Sequence, residues 1–215
     1  MRILFLIIFL GTLTKGYPQF SKKNLFYGDV GFFWGNYSGF ELGVNYIRNE
    51  KYSFQASYYH HIIEAQEMPA DFRTSSLINL GPTIFPEVNV PDINHSFNIL
   101  GGYIYNLNLK RTVRLNLQAG IAFLHMQYAT NFQKRSSPVF FGDNYEYDFK
   151  YRNTVAVIIN PRIDFPFFKG YGLSVSPLVE FGGRKTVYGV GLVNIFGITR
   201  QSYIDPNQDV EETTD

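Results

Sequence analysis

Residues 113–123, VRLNLQAGIAF, alternate between apolar side chains and polar or small ones. Val113, Leu115 and Leu117 take one set of positions, and Arg114 and Asn116 begin the other. Successive side chains of a β-strand point to opposite faces, so this pattern predicts a strand with one apolar face and one polar face. The apolar spacing of an amphipathic helix is absent from it.

The same alternation recurs along the chain in segments separated by turn-forming residues. Eight predicted strands result, and they lie at 25–35, 39–48, 52–61, 95–108, 112–127, 153–167, 171–181 and 185–197. Helical spacing is hard to find after residue 20. We therefore predict an all-β protein with eight antiparallel strands in up-and-down order.

The connections between these strands alternate in length. Tight turns are predicted at 49–51, 110–111 and 168–170. The long connections are 62–94 and 129–151, and the short ones at 36–39 and 182–184 fall on the same side as these. An even number of strands, with tight turns at one rim and long loops at the other, is typical of a transmembrane β-barrel.

The polar face of the strands determines which kind of barrel this is. A soluble carrier barrel is polar outside and apolar inside, whereas the continuous apolar face here favours lipid outside and a polar filling inside. An unpaired charge in a narrow interior is costly, so we expect the interior charges to pair. These predicted interior charges are Asp29, Glu41, Arg114, Arg162, Asp164 and Glu180.

Aromatic residues are 18% of the chain, a high share beside 17% charged residues. In the core of a soluble sandwich they would sit at strand centres, but here they gather at strand ends on the apolar face. Two such belts mark the two interfaces of a membrane. The predicted belts contain Trp34, Phe40, Tyr46, Tyr52, Phe97, Tyr103, Tyr105, Phe123, Phe165, Phe181, Tyr188 and Phe196.

Length and composition exclude several other classes of protein. The 215 residues suit one domain, and the lack of cysteine excludes disulfides, thiolate metal sites and a cysteine nucleophile. A formal charge of +1 lacks the basic surplus of a nucleic-acid binder. No cofactor is expected, because the sequence contains no phosphate loop or nucleotide-binding motif.

The chain divides into three predicted parts. Residues 1–16 have the basic start, apolar run and small-residue cleavage site of a secretory signal peptide, although a buried N-terminal strand is an alternative. Residues 17–197 form the barrel. Residues 198–215 form an acidic tail that we expect to be flexible and periplasmic.

At this level the sequence resembles the small eight-stranded outer-membrane barrels of Gram-negative bacteria, the OmpA/OmpX-like group. The resemblance covers about 24–197 and rests on the strand and loop layout. It implies an outer-membrane location, contact with outer-membrane lipid, and recognition of the last strand by the barrel-assembly machinery. The segment 190–196 resembles that recognition signal only partly, because Asn194 interrupts its apolar face.

Eight strands enclose an interior that side chains can fill, so a large open pore is not expected. The first functional hypothesis is a non-enzymatic barrel that serves envelope structure or surface interaction. Its contact regions would be the long extracellular segments 62–94 and 129–151, which could bind an extracellular ligand.

The second hypothesis is a lipid A-modifying hydrolase or a metal-binding barrel at the extracellular rim. Imidazoles and carboxylates can hold a metal ion or act as base and orienter. The candidate catalytic residues are His95, Ser96 and Asp92, although adjacent His95 and Ser96 should point to opposite faces of a strand. The candidate metal ligands are His60, His61, His95 and His125.

Overall fold

The computed structural model describes residues 24–75, 90–136 and 142–200. The predicted signal peptide at 1–16 and most of the predicted acidic tail lie outside these ranges. Within them, no helix is long and apolar enough to cross a bilayer.

Ten β-strands account for most of the described residues. They are β1 (Leu25–Gly35), β2 (Ser38–Arg48), β3 (Tyr52–Glu64), β4 (Thr74–Ser75), β5 (Pro91–Asn106), β6 (Arg114–Lys134), β7 (Gly142–Asp143), β8 (Tyr145–Phe165), β9 (Tyr171–Phe181) and β10 (Val187–Ile198). The two shortest, β4 and β7, pair only with each other.

The other eight strands form a closed ring in the order β1-β10-β9-β8-β6-β5-β3-β2. Every neighbouring pair is antiparallel. Neighbours in the ring follow the order of the chain, and β1 pairs with β10 to close it. The closing pair runs from Phe26 opposite Ile198 to Gly35 opposite Gly189. The predicted eight-stranded antiparallel up-and-down barrel is therefore confirmed.

Exposure alternates along each strand of this ring. In β6, Leu117 and Ile121 are 44% and 45% exposed, whereas Asn116 and Gln118 are 0% and 2% exposed. The apolar positions thus face outward and the polar positions face inward, which is the reverse of a soluble barrel. The alternation that predicted the strands also places their side chains correctly.

The segment 129–151 differs from its prediction as a loop. β6 continues to Lys134 and β8 begins at Tyr145, with an irregularity between Thr130 and Gln133 where the register shifts. Aromatic residues with strong β propensity recur at alternate positions there, and these keep the two strands paired. The charged residues between them made the segment look like a loop.

These longer strands form a feature that we call the hairpin arm, made of residues 128–134 of β6 and 145–154 of β8. The pairing of β6 with β5 stops at Gln127, and that of β8 with β9 stops at Val157. Residues 128–134 and 145–150 therefore extend past the barrel rim as a two-stranded ribbon, whereas 151–154 pair with a part of β6 that also pairs with β5.

The last strand also ends later than predicted. β10 continues to Ile198, and at Gly197 (φ 126°) the chain turns under the barrel, where Thr199 is fully buried. The Thr199 amide donates to the Lys169 carbonyl at 2.8 Å. The first two residues of the predicted tail are thus part of the barrel.

Candidate functional site

The interior of the barrel is built around Arg162, which no solvent reaches. Its Nη1 lies 2.7 Å from Asp29 Oδ2 and 3.8 Å from Glu41 Oε1, and its Nε lies 3.8 Å from Asp164 Oδ1. One guanidinium therefore faces three carboxylates contributed by β1, β2 and β8. Arginine suits this position, because its planar fork presents several donors at once and stays charged.

A second arginine extends this cluster towards the tight-turn rim. Arg114 Nε lies 3.0 Å from Asp164 Oδ2, and its Nη1 donates to the Thr199 carbonyl at 2.7 Å. Its guanidinium also lies 5.4 Å from the centre of the Tyr27 ring. Arg114 thereby ties Thr199, the residue that follows β10, to the middle of the barrel.

Amides and hydroxyls complete the filling of the interior. Asn45 Nδ2 donates to Asp29 at 2.6 Å, and Gln55 Nε2 donates to Glu41 at 2.6 Å. Glu180 accepts from Ser96 Oγ at 3.0 Å and has no cationic partner among the described residues. The interior thus holds each predicted charge in a packed polar network.

The predicted belt aromatics lie on the outside of the barrel, where many touch each other in rows. Tyr58 joins Phe40 and Phe97 at ring-centre distances of 6.1 and 5.1 Å, near the rim with the long connections. Near the other rim, Tyr103 joins Tyr52 and Tyr105 at 5.6 and 4.8 Å. Strongly exposed members of the belts are Trp34, Tyr52, Phe97, Tyr105, Phe123, Phe181, Tyr188 and Phe196.

The proposal of one cluster of four histidines is wrong. His60, His95 and His125 are opposite one another on β3, β5 and β6 and face outward. His61 is fully buried on the inner face, with its ring centre 4.5 Å from that of Tyr37. His60 and His61 are adjacent in one strand, so they must point to opposite faces.

The candidate catalytic set does not come together either. On the outer wall, a hydrogen bond of 2.6 Å joins His95 Nδ1 and Tyr58 Oη. Ser96 and Asp92 face the interior, where Asp92 Oδ1 accepts from the Ala129 amide at 2.9 Å. His95 therefore lies on the outer face of the barrel wall, and both of its proposed partners lie on the inner face.

The histidine row offers two nitrogens at a short distance, His60 Nδ1 and His95 Nδ1, 3.4 Å apart. In the part of the chain that the structure describes, no group of three or more histidine or acidic side chains is arranged to hold a metal ion. Two imidazoles without a third ligand fall short of a structural zinc site.

The outer half of the hairpin arm, away from the barrel, is held by segment 65–75, which the sequence did not connect to it. Phe72 packs against Phe132, Tyr145 and Tyr147 at ring-centre distances of 6.2 to 6.4 Å. Contacts between positions about 60 to 75 residues apart leave no local pattern in a sequence, so strand periodicity could not reveal them.

Charged side chains reinforce this contact. Lys134 Nζ and Tyr145 Oη donate to the two oxygens of Asp71, at 2.6 and 2.5 Å. The hydrogen bond from Lys134, followed by that from Tyr145, lowers the pKa of Asp71 below its ordinary value. These two hydrogen bonds therefore favour the charged form of Asp71.

Arg184, in the connection between β9 and β10, contacts both segment 65–75 and the base of the arm. Its Nη2 lies 2.5 Å from Glu67 Oε1, and its guanidinium lies 3.9 Å from the centre of the Tyr128 ring. Glu67 also accepts from Thr130 Oγ1 at 2.6 Å. The connection between β9 and β10, segment 65–75 and the base of the arm thus form one linked assembly above the barrel.

Taken together, the closed ring, the apolar exterior and the packed polar interior define a small eight-stranded membrane-spanning β-barrel. Its fold and surface polarity match those of small outer-membrane barrels. No protein-family model matches the sequence, and no curated protein is significantly similar to it.

Solved structures with a similar fold exist. The N-terminal β-barrel domain of Pseudomonas aeruginosa OprF has a TM-score of 0.49 and 12% identity, covering 81% of this chain and 96% of that one. Neisserial surface protein A gives 0.45 and 7%, covering 81% and 95%. The Yersinia pestis outer membrane protein Ail gives 0.44 and 11%, covering 80% and 98%. At identities this low the likeness concerns shape alone.

Proposed function

We propose that the protein is a non-enzymatic barrel of the bacterial outer membrane that presents the hairpin arm for contact at the cell surface. The observation that carries this proposal is the arm itself, a paired ribbon that continues beyond the rim and is braced in its outer half by Phe72 and Asp71. A brace of this kind holds the arm away from the membrane in a defined position. Function in rigid-scaffold proteins tends to lie on such projecting segments.

The membrane location rests on the exterior surface. The apolar band of this barrel, with aromatic rows near both ends, is the surface that hydrocarbon and its two interfaces favour. The arm lies at the rim with the long connections, which in barrels of this type faces the outside of the cell. Outer-membrane lipid is then the partner of the band, and an extracellular ligand is the partner of the arm.

Assembly is the remaining expected interaction. The exterior of β10 carries Tyr188, Val190, Leu192 and Phe196, interrupted by Asn194, which accepts a hydrogen bond from Tyr171 Oη at 3.0 Å. This partner shields the amide from the apolar surroundings of the wall. We infer that β10 is the strand offered to the barrel-assembly machinery, although the chain continues past it.

Protease treatment of intact cells tests the surface role. Trypsin should cut beyond the rim, at Arg73, Lys134, Arg135 or Lys150, while leaving the barrel strands protected, because the arm and segment 65–75 lie outside the membrane. Cells with a permeabilised outer membrane serve as the control for the tight-turn rim. If the arm is cut only after permeabilisation, the proposed orientation is wrong.

The enzymatic alternative has a separate test. Lipid A from cells carrying His95→Ala should have the same mass spectrum as lipid A from cells with the unchanged protein. A shifted lipid A mass that the substitution abolishes would contradict a non-enzymatic role.

A further inference from the structure

One edge of the hairpin arm has no strand beside it. β8 pairs with β6 along the whole arm, but β9 pairs with β8 only from Val157 onward. Among the described residues, none forms a backbone hydrogen bond with 145–154 from the open side. A long exposed strand edge is a template for another strand, and proteins usually shorten, cover or bulge such edges.

Along this edge, the side chains on both faces of the strand are exposed. Residues 148–153 are all exposed, and Phe149 and Tyr151 have 43% and 65% of their surface in contact with solvent. Neither Lys150 nor Arg152 has a carboxylate partner among the described residues. The edge therefore offers main-chain groups, aromatic rings and unpaired cations together.

The sequence of the edge is complementary to itself. Residues 145–153 read YEYDFKYRN, with Phe149 at the centre. Glu146 and Asp148 precede Phe149 on one face, and Lys150 and Arg152 follow it on the same face. When the segment is reversed, acids meet bases, and Tyr147 meets Tyr151 on the other face.

We propose that this edge pairs with the same edge of a second copy of the chain, antiparallel and centred on Phe149. In that register each Glu146 lies opposite Arg152 of the other copy, and each Asp148 lies opposite Lys150. Opposite charges and aromatic pairs in directly opposed positions stabilise antiparallel strands. About eight to ten main-chain hydrogen bonds would join the nine-residue segments.

The twofold axis of such a pair is perpendicular to the shared sheet, so the two barrels point in opposite directions. Two copies in one membrane share a direction and cannot meet in this way. The pairing instead suits two copies in facing outer membranes, and the partner chemistry is that of the same protein on a neighbouring cell. This inference rests on the proposed surface role, and it names a specific partner for the arm.

Cysteine cross-linking tests the register directly, because the chain has no cysteine of its own. In the full chain purified in detergent, Phe149→Cys places two sulfurs at the twofold axis, where opposed residues are about 4.5 to 5.5 Å apart and a disulfide can form. Tyr151→Cys is the matched control, since its two copies would be about 13 Å apart along the strands. We expect mild oxidation to give a dimer with Phe149→Cys and a monomer with Tyr151→Cys.

Charge reversal tests the self-complementarity in the same detergent-solubilised protein. E146K/D148K makes the edge wholly basic, and K150E/R152E makes it wholly acidic, so each variant alone should dimerise at least about tenfold more weakly by sedimentation equilibrium. A mixture of the two variants should restore dimers, because all four charge pairs become attractive again. Restoration also shows that both variants are folded.

Several results would overturn the inference. They are equal cross-linking of Phe149→Cys and Tyr151→Cys, an unchanged protein that stays monomeric throughout, and a mixture of the charge variants no more dimeric than either alone. None of these touches the surface role, which the protease experiment on intact cells decides separately.

Discussion

Arg162 lies in the middle of the barrel, where its guanidinium faces Asp29, Glu41 and Asp164. All four side chains are 0 to 2% exposed. Breaking a buried ion pair by removing one partner leaves an uncompensated charge, which is far more costly than losing an exposed pair. The interior therefore depends on this one residue more than on any single contact at the surface.

The first prediction follows from this position. Arg162→Met should lower the free energy of unfolding by roughly 3–5 kcal/mol, because it leaves the surrounding carboxylates without their cation. Urea unfolding of the protein in lipid vesicles would measure the change.

Arg135→Met is a matched control, because the ion pair of Arg135 with Glu146 is exposed on both sides. That substitution should cost at most about 1 kcal/mol. Equal losses for the two variants would show that the interior cluster has no special role in stability.

At this scale, the sequence predicted which residues face the interior and left their partners open. The alternation of polar and apolar residues alone is enough to place Arg162 on the inner face and its sequence neighbours on the outer face. It does not say that Asp29, 133 positions earlier in the chain, lies beside it, because that contact depends on how the barrel closes. The histidines were predicted only in part: His60, His95 and His125 lie opposite one another, but His61 points into the barrel because it is adjacent to His60 in one strand.

The hairpin arm is the element whose structure departs most from expectation. Its strands were predicted as loop, yet they pair as far as Lys134 and Tyr145. The brace from segment 65–75 explains how a two-stranded ribbon keeps its shape, since an isolated hairpin is marginally stable in water. Phe72 is the centre of that brace and is only 8% exposed.

The second prediction concerns this brace. Phe72→Ala should destabilise the contact between segment 65–75 and the arm by about 3 kcal/mol, which raises local opening roughly a hundredfold. Limited trypsin digestion of the protein in lipid vesicles, followed at Arg73 and Lys134, would detect faster cleavage with the barrel intact.

Phe168→Ala provides the control for that experiment, because Phe168 is 67% exposed in a tight turn at the other rim. Its cleavage pattern should equal that of the unchanged protein. If Phe72→Ala is cut no faster than Phe168→Ala, segment 65–75 does not brace the arm.

The whole molecule combines an outward apolar band with an inward polar network, and this polarity follows from the sequence almost completely. Eight alternating segments and two sets of connections were enough to predict the ring and its apolar outer wall. The length of the arm was not predictable, because pairing there depends on long-range packing against segment 65–75.

The third prediction tests the lipid-facing wall. Ile121→Arg, near the middle of the band, should lower the free energy of unfolding in vesicles by roughly 2–4 kcal/mol, because arginine is costly near the bilayer midplane. Gln127→Arg, on the same face of β6 but at the rim, should cost at most about 1 kcal/mol. Similar costs at the two depths would contradict a membrane crossing between them.

A nitroxide scan along residues 115–123 of β6 in lipid vesicles, one cysteine at a time, tests whether the barrel spans a membrane. Accessibility to oxygen should alternate with period two, be high at the odd-numbered positions and be greatest near Ala119. Even-numbered positions should be shielded from oxygen. A scan without alternation, or one in which the odd-numbered positions are reached by a water-soluble relaxation agent, would contradict a membrane-spanning barrel with its apolar face in lipid.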